Sequence, residues 1–455
     1  MTKDSRHMAL SILERINNQG GMLDTILDEF YKTGALISKR DRSLINAIVF
    51  GVLRWQGKLD YIINYFSKRK INKINPSIKN ILRMGVYQII YLSRIPDAAA
   101  VHSAVEMAKA SGFPWAAGYV NAVLRRTSRE YDHVIYPDKD KDPIGNICFK
   151  KSMPEWLMKR WVQRFGIEET EALCDSINLI PDISVRVNTL RSDTEKLELS
   201  LKNDVDKMGR TQYSHCGLWF SKPKKPISEI DSFANGWFQV QDEAAQLVTL
   251  LLDPKPGEMI LDSCAGLGGK TGHIAQLMEN KGKIIAVDMD KKKLGRLEME
   301  MDRLGVKNVN SMDIDITEQI RKEQFGEFDR ILLDAPCTGL GVLRRNPDAK
   351  WNINKQNFTH YQKKQIELLN NVVRLLKPSG VLVYTVCSME PEENEGVVKE
   401  FLNNHPDFAI DKNSGQLHGK AVSLIHEDGF FKTYPHKHNM DGFFAVRLKK
   451  IEDCK

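Results

Sequence analysis

At 455 residues the chain is long for a single core, and its composition is that of an ordinary globular protein, so two or three domains are expected. Lys plus Arg exceed Asp plus Glu by 66 to 59, a net charge of +7 that favours a polyanionic partner without requiring one. Seven cysteines without a CxxC pair argue against a disulfide framework or a structural zinc site; an N-terminus carrying Asp4 and Glu14, and no apolar run of membrane-spanning length, argue against export or insertion, so a soluble, cytoplasmic protein is expected.

From Ser5 to about Thr127 apolar residues recur at helical spacing, as in Met8, Ile12, Leu13 and Ile16, or Leu44, Ile45, Ile48, Val49 and Val52. This predicts an all-helical domain over residues 1–135. Residues 136–154 are rich in charge, Pro and Gly and read as a linker. A small mixed α/β segment is expected over 155–235, with helical "EWLMKRWVQRF" and strand-like "ISVRVNTL" and "GLWF". Over 236–450 the strand-like runs "EMILD", "KIIAVD", "RILLD" and "GVLVYTV" alternate with helical stretches, which implies βαβ units and a parallel sheet of Rossmann-like α/β class.

The turn after the first of these strands, "DSCAGLGGKT", is a near miss to two phosphate-binding patterns. A dinucleotide fingerprint would need glycine at Thr271, and a P-loop would need glycine at Cys264. What remains is a glycine-rich strand-to-helix turn whose backbone can approach a ligand, followed by Asp288 at the end of the next strand, where a carboxylate suits ribose hydroxyls. A nucleoside-bearing cofactor fits that pair. Asp334 ends a buried strand and precedes Ala335, Pro336 and Cys337, while Cys387 follows a further strand. Two thiols at strand ends suggest covalent catalysis; a Walker-B-like carboxylate at Asp334 keeps a P-loop-like nucleotide hydrolase as the rival reading.

The motifs "DSCAGLGGKT", "DAPCTGLGVLRRNPDAKW", "VYTVCSMEPEENE" and "DGFFAVRLKK", with "VRVNTLR" and "FQVQDEAAQLV" upstream, resemble the RNA (cytosine-5)-methyltransferases of the Sun/Fmu type. The helical N-terminus, with "RDRSLINAIVFGVLRW", "ILRMGVYQIIYL" and "VNAVLRR", is similar to the NusB-like RNA-binding domain of bacterial members that act on 16S ribosomal RNA. The resemblance spans nearly the whole chain. It departs from the family at Leu267, where the turn usually carries proline.

The resemblance implies S-adenosyl-L-methionine as cofactor, held by Cys264, Ala265, Gly266, Leu267, Gly268, Gly269, Lys270, Asp288, Asp313 and Asp334, with Asp315 as the alternative to Asp313. It implies Cys387 as the nucleophile that adds to carbon 6 of cytosine, Cys337 as the thiol that helps release the adduct, and Asp334 as the group that activates the base. A thiol of ordinary pKa, about 8.5, needs a nearby positive charge or helix dipole to act as thiolate. The target base must be unstacked, so single-stranded or locally opened RNA is the expected substrate. Ribosomal RNA is the expected partner of a monomer, with tRNA as the alternative substrate and a non-catalytic antitermination factor as the remaining reading. Arg344, Arg345, Lys350 and Trp351 are candidates for phosphate contacts beside a stacking surface, or for a solvated basic loop with a buried Trp. Arg125 and Arg126 offer either an RNA-facing edge or charge complementing a helix C-terminus.

Overall fold

A computed structural model describes residues 4–19, 23–32, 37–318 and 325–451. The chain divides into two compact units, one running to Leu179 and including Leu343–Asn352, the other comprising Ile180–Val342 and the chain from Ile353 onward. None of the described helices is long and apolar enough to cross a membrane. Six cysteines are free thiols; the seventh, Cys454, lies outside the described residues.

The first unit is helical: α1 (Ser5–Gln19), α2 (Leu23–Lys32), α3 (Lys39–Phe66), α4 (Pro76–Tyr91), α5 (Asp97–Ala110), α6 (Ala117–Glu130), α7 (Pro143–Lys150), α8 (Glu155–Phe165) and α9 (Ile167–Asn178). The Ser38 hydroxyl accepts the Asp41 N–H and caps α3. Its apolar stripe, Ile45, Ile48, Val49 and Val52, is buried against α1 and α4. Gly51 permits the close crossing of α3 and α4, since a Cβ there would lie 1.9 Å from the Tyr87 ring.

The stretch 136–154 differs from the expected linker. Asp142 caps α7 by accepting the Gly145 N–H at 2.8 Å, Pro143 sits in its first turn, and Ile147 and Cys148 are buried. Tyr61 of α3 stacks on Tyr136 and contacts Phe149. Charge and proline at the ends of the stretch mask four apolar residues, Ile144, Ile147, Cys148 and Phe149, that suffice for two helical turns. Helices α8 and α9, expected in the mixed segment, belong to this helical unit as well.

The second unit holds two sheets. The smaller is antiparallel, ordered β2-β3-β1-β4, from β1 (Ile183–Val187), β2 (Lys207–Arg210), β3 (Gly217–Ser221) and β4 (Phe238–Val240). Strands β1 and β3 are the two runs legible in the sequence; β2 is short and polar, and β4 has only three residues. The larger sheet contains β5 (Met259–Asp262), β6 (Lys283–Asp288), β7 (Val309–Asp313), β8 (Phe328–Asp334), β9 (Leu376–Val386), β10 (Phe408–Ile410), β11 (Phe430–Lys432) and β12 (Phe444–Lys450). Its order is β10-β12-β9-β8-β5-β6-β7, with β11 also on β12; β7 to β9 pair in parallel, and β12 runs antiparallel to β9. Two apolar layers cover its faces, one with the helices Glu243–Leu252, Gly269–Leu277 and Lys291–Leu304, the other with Lys355–Val372 and Glu395–Asn404. The strand order reverses at β5, between β6 and β8, where open α/β sheets leave a crevice beyond their carboxyl ends.

Candidate active site

The glycine turn lies at that reversal. Gly266 and Gly268 both have positive φ, +55° and +82°, and a Cβ on Gly268 would lie 2.8 Å from the Leu297 side chain. The turn is tied to its neighbours on both sides: Ser263 Oγ donates to Leu332 O at 2.7 Å, Ala265 N to Val287 O at 2.9 Å, and Gly266 N to Asp288 Oδ2 at 2.9 Å. The other Asp288 oxygen accepts the Asp290 N–H. Leu267, at the position where the family usually carries proline, is 47% exposed.

A cavity of about 210 Å3 opens beside the turn, lined on its polar side by Ser263, Asp288, Asp315 and Asp334 and on its apolar side by Met289, Ile314, Ile316, Pro336 and Leu368. Cys264, Gly266, Lys293 and Lys364 complete the lining. Carboxylates opposite an apolar slot match the two faces of a nucleoside, hydroxylated ribose and flat base. Of the two alternatives at the end of β7, Asp315 lines the cavity, whereas Asp313 pairs in register with Asp288 and turns its side chain to the exterior. Asp313 is the first carboxylate after the run "VKNVNSM" and ends the strand itself. The chain needs two more residues to turn back toward the crevice.

Lys270, in the first turn of the helix after the glycines, reaches Asp334 Oδ2 at 2.5 Å and lies over the Phe443 ring. Burial works against its charge, but the Asp334 carboxylate outweighs that and holds the Lys270 pKa above its ordinary value. Asp262, at the end of β5, is fully buried; one oxygen accepts the Thr271 hydroxyl at 2.7 Å and the other has no partner among the described residues. Burial raises its pKa to about 7.

The two cysteines expected to act together are together. Cys337 follows β8, Cys387 follows β9, and their sulphurs are 3.3 Å apart. The hydrogen bond with Cys387, and then burial, hold the Cys337 thiol well above its ordinary pKa. The loops that carry them interlock: Gly341 N donates to Cys387 O, and Gly442 of the terminal "DGFF" motif donates to Gly341 O.

Three side chains at the site were not singled out in the sequence. Arg186, within "VRVNTLR", is fully buried and donates to Gly269 O, Gln239, Gln241 and Gln276, clamping the start of the helix after the glycines. Glu393, within "EPEENE", is fully buried beside the cysteine loops. Thr338, next to Cys337, is its partner. Their signal in the sequence was a charged or polar residue inside a motif with no role assigned to it.

The expected RNA contacts of Arg344 and Lys350 are corrected by burial. Both side chains are buried in the helical unit, where Arg54 donates to Arg344 O, the Lys350 ammonium to Arg54 O and the Trp351 indole N–H to Leu53 O, each at 2.7 Å. Lys350 therefore satisfies α3 backbone groups instead of phosphate, and burial lowers its pKa to about 7. Trp351 is half-buried against the same helix, and Arg345 is half-buried as well. Arg125 and Arg126 are exposed on α6, with Arg126 paired to Glu130.

Comparison with known proteins gives one consistent result. Residues 249–449 match the family model described as 16S rRNA methyltransferase RsmB/F, residues 3–129 the NusB family, and residues 153–226 the ferredoxin-like domain of RsmF/B-like methyltransferases. The chain is 34% identical over 445 residues to the probable ribosomal RNA small subunit methyltransferase B of Bacillus subtilis, covering 98% of each. It is 32% identical over 450 residues to ribosomal RNA small subunit methyltransferase B of an Escherichia coli strain, covering 98% of this chain and 99% of the relative. Among solved structures, PH0851 is similar with a TM-score of 0.81 at 29% identity, covering 98% of both chains. NSun6 from Pyrococcus horikoshii, solved with SFG, is similar with a TM-score of 0.58 at 27% identity, over 67% of this chain and all of that one.

Proposed function

The chain belongs to the RsmB/F family of 16S rRNA methyltransferases, and on that premise we propose that it methylates carbon 5 of a cytosine in 16S ribosomal RNA through a covalent adduct with Cys387. The observation that carries this reading is the pair of sulphurs 3.3 Å apart at the ends of β8 and β9, next to a cavity lined by carboxylates and apolar side chains. A nucleotide hydrolase has no use for either thiol, and a non-catalytic RNA binder has no use for the cavity.

S-adenosylmethionine, when bound, supplies an electrophilic methyl group. The cavity fits it: Asp288 offers a carboxylate to the ribose hydroxyls, Asp315 a second acceptor, and Ile314, Ile316 and Leu368 an apolar slot for the base. Asp313, the other candidate, has no lining position.

Carbon 5 of cytosine is a poor nucleophile until a thiolate adds at carbon 6. The Cys387 sulphur forms the bond to carbon 6, and the electrons of the 5,6 double bond move to carbon 5, which takes the methyl group. Asp334, at the end of β8, hydrogen-bonds the Watson-Crick edge as the ring nitrogen gains a proton. Lys270 beside it keeps positive charge at the centre of the site. Cys337 retains its proton because of its bond to Cys387. Once Cys387 is joined to carbon 6 that bond is lost, and Cys337 gives its proton to solvent and, as the thiolate, takes the one on carbon 5. The 5,6 double bond then re-forms and expels the Cys387 thiolate.

On the helical unit, Arg125 and Arg126 are the remaining exposed candidates for RNA contact, and an exposed run of Lys68, Arg69 and Lys70 adds to them. Arg126 also donates to Phe66 O, two residues before that run. Mapping 5-methylcytosine across ribosomal and transfer RNA from a strain lacking the gene tests the substrate. Loss of one 16S position supports the reading, whereas loss confined to tRNA overturns the 16S assignment.

A further inference from the structure

Resting on that covalent reading, we infer that Glu393 is the positioning residue that holds the two reactive cysteines in register. Its carboxylate is fully buried and receives four donors from three segments. Oε1 accepts the Thr338 N–H at 2.7 Å and the Gln365 amide at 3.4 Å. Oε2 accepts the Thr338 hydroxyl at 2.5 Å and the Ser388 hydroxyl. Thr338 is the residue after Cys337, and Ser388 is the residue after Cys387. One carboxylate thus binds the neighbours of both thiols. Among the described residues no cation pairs with it, so its four hydrogen bonds make its geometry strict, because each lost donor leaves a buried carboxylate less satisfied.

The backbone supports the same function. The Tyr384 hydroxyl, from β9, donates to Glu393 O at 2.6 Å, Glu390 N donates to Ser388 Oγ, and the Asn394 amide donates to Ser388 O. Gln365 also donates to Pro336 O at 3.0 Å, so the loop is gripped on both sides of Cys337. Without the carboxylate, the loops after β8 and β9 keep their strands and the Gly341 N–Cys387 O bond, but lose the side-chain link between the residues that follow the two cysteines. Glu393 never touches the base; it acts through the loops.

The full-length protein with Glu393→Gln tests this. The amide keeps shape and one acceptor but presents N–H groups to donors. Three quantities are measured: S-adenosylmethionine affinity by calorimetry; the rate of covalent adduct formation with RNA containing 5-fluorocytidine, whose carbon 5 fluorine blocks release; and the rate at which diamide closes a Cys337–Cys387 disulfide, followed by peptide mass. Cofactor affinity should be unchanged, while adduct formation falls about a hundredfold, the order expected for an ångström of misplacement, and sulphur closure slows with it. Thr338→Val, which removes one hydroxyl bond and keeps the side-chain shape, should lie between wild type and Glu393→Gln, and stands in for it if that variant does not fold. Wild-type rates of adduct formation and sulphur closure in the variants overturn the inference, as does loss of cofactor binding in parallel with loss of adduct. If the wild-type protein itself forms no adduct, the covalent reading fails, and sulphur closure alone still decides whether Glu393 sets the register.

Discussion

Lys270 and Asp334 form an ion pair of 2.5 Å that joins the helix after the glycine turn to the end of β8. It links the cofactor side of the crevice to the strand that leads into Cys337. The lysine is the more buried partner, with 10% of its side chain exposed against 30% for the aspartate, so Asp334 keeps a face open to a base. Lys270→Met should therefore lower turnover more than cofactor affinity, because it frees Asp334 to rotate and removes the central charge. Steady-state kinetics beside calorimetry will show it; equal losses in both would place Lys270 solely on the cofactor.

Cys387→Ala should abolish methyl transfer and leave S-adenosylmethionine binding largely intact. Cys337→Ala should instead accumulate a protein–RNA adduct that survives denaturation, since attack persists and release is impaired. An adduct that forms equally well without Cys387 would mean that the two roles are reversed.

Asp288→Ala should weaken cofactor binding by about 1.5 to 3 kcal/mol, the range for hydrogen bonds to a charged acceptor. Part of that loss is internal, since Asp288 also fixes Gly266 N and Asp290 N. Asp315→Ala should weaken binding more than Asp313→Ala, because only Asp315 lines the cavity. Titration calorimetry on the three variants ranks them, and a larger effect at Asp313 would restore it as the contact.

Asp262 has a folded pKa of about 7 against 3.8 for the free group. Between those values the native state holds a proton that the unfolded chain has released, so its contribution to stability falls as pH rises from about 4 to about 7. Asp262→Asn should remove that slope. Urea midpoints measured across the window are the check, and an unchanged slope would show that Asp262 stays ionised in the fold.

Lys350 works in the opposite direction. Its pKa is about 7 in the fold against 10.5 for the free group, so the unfolded chain binds the extra proton between those values and stability gains as pH rises through that window. Lys350→Met should flatten this dependence. Deleting residues 1 to about 140 removes α3, and with it the Arg54 side chain that donates to Arg344 O and the carbonyls that Lys350 and Trp351 satisfy. Aggregated protein is the expected product. A soluble truncated enzyme that binds S-adenosylmethionine normally and shows only a weaker, less salt-dependent grip on RNA would show that α3 is dispensable and that the helical unit acts mainly as an RNA contact.

The alternation of strand and helix, the glycine turn, Asp288, Asp334 and both cysteines were legible in the sequence, because each depends on local chemistry: an apolar run of strand length, a turn that needs positive φ, a reactive residue at a strand end. The helical character of the N-terminal region was legible for the same reason, through its 3.6-residue period. What the tertiary structure alone decided are relationships between residues far apart in the chain. Lys350 reads as an exposed cation because its neighbours in sequence are polar, yet it is buried because α3, some 300 positions earlier, offers it a carbonyl. Glu393 reads as one of several acidic residues in "EPEENE", and only the meeting of the loops after β8 and β9 gives its carboxylate four donors. Burial and hydrogen-bond partnership are set by which strands become neighbours in the sheet, and one-dimensional spacing carries no record of that.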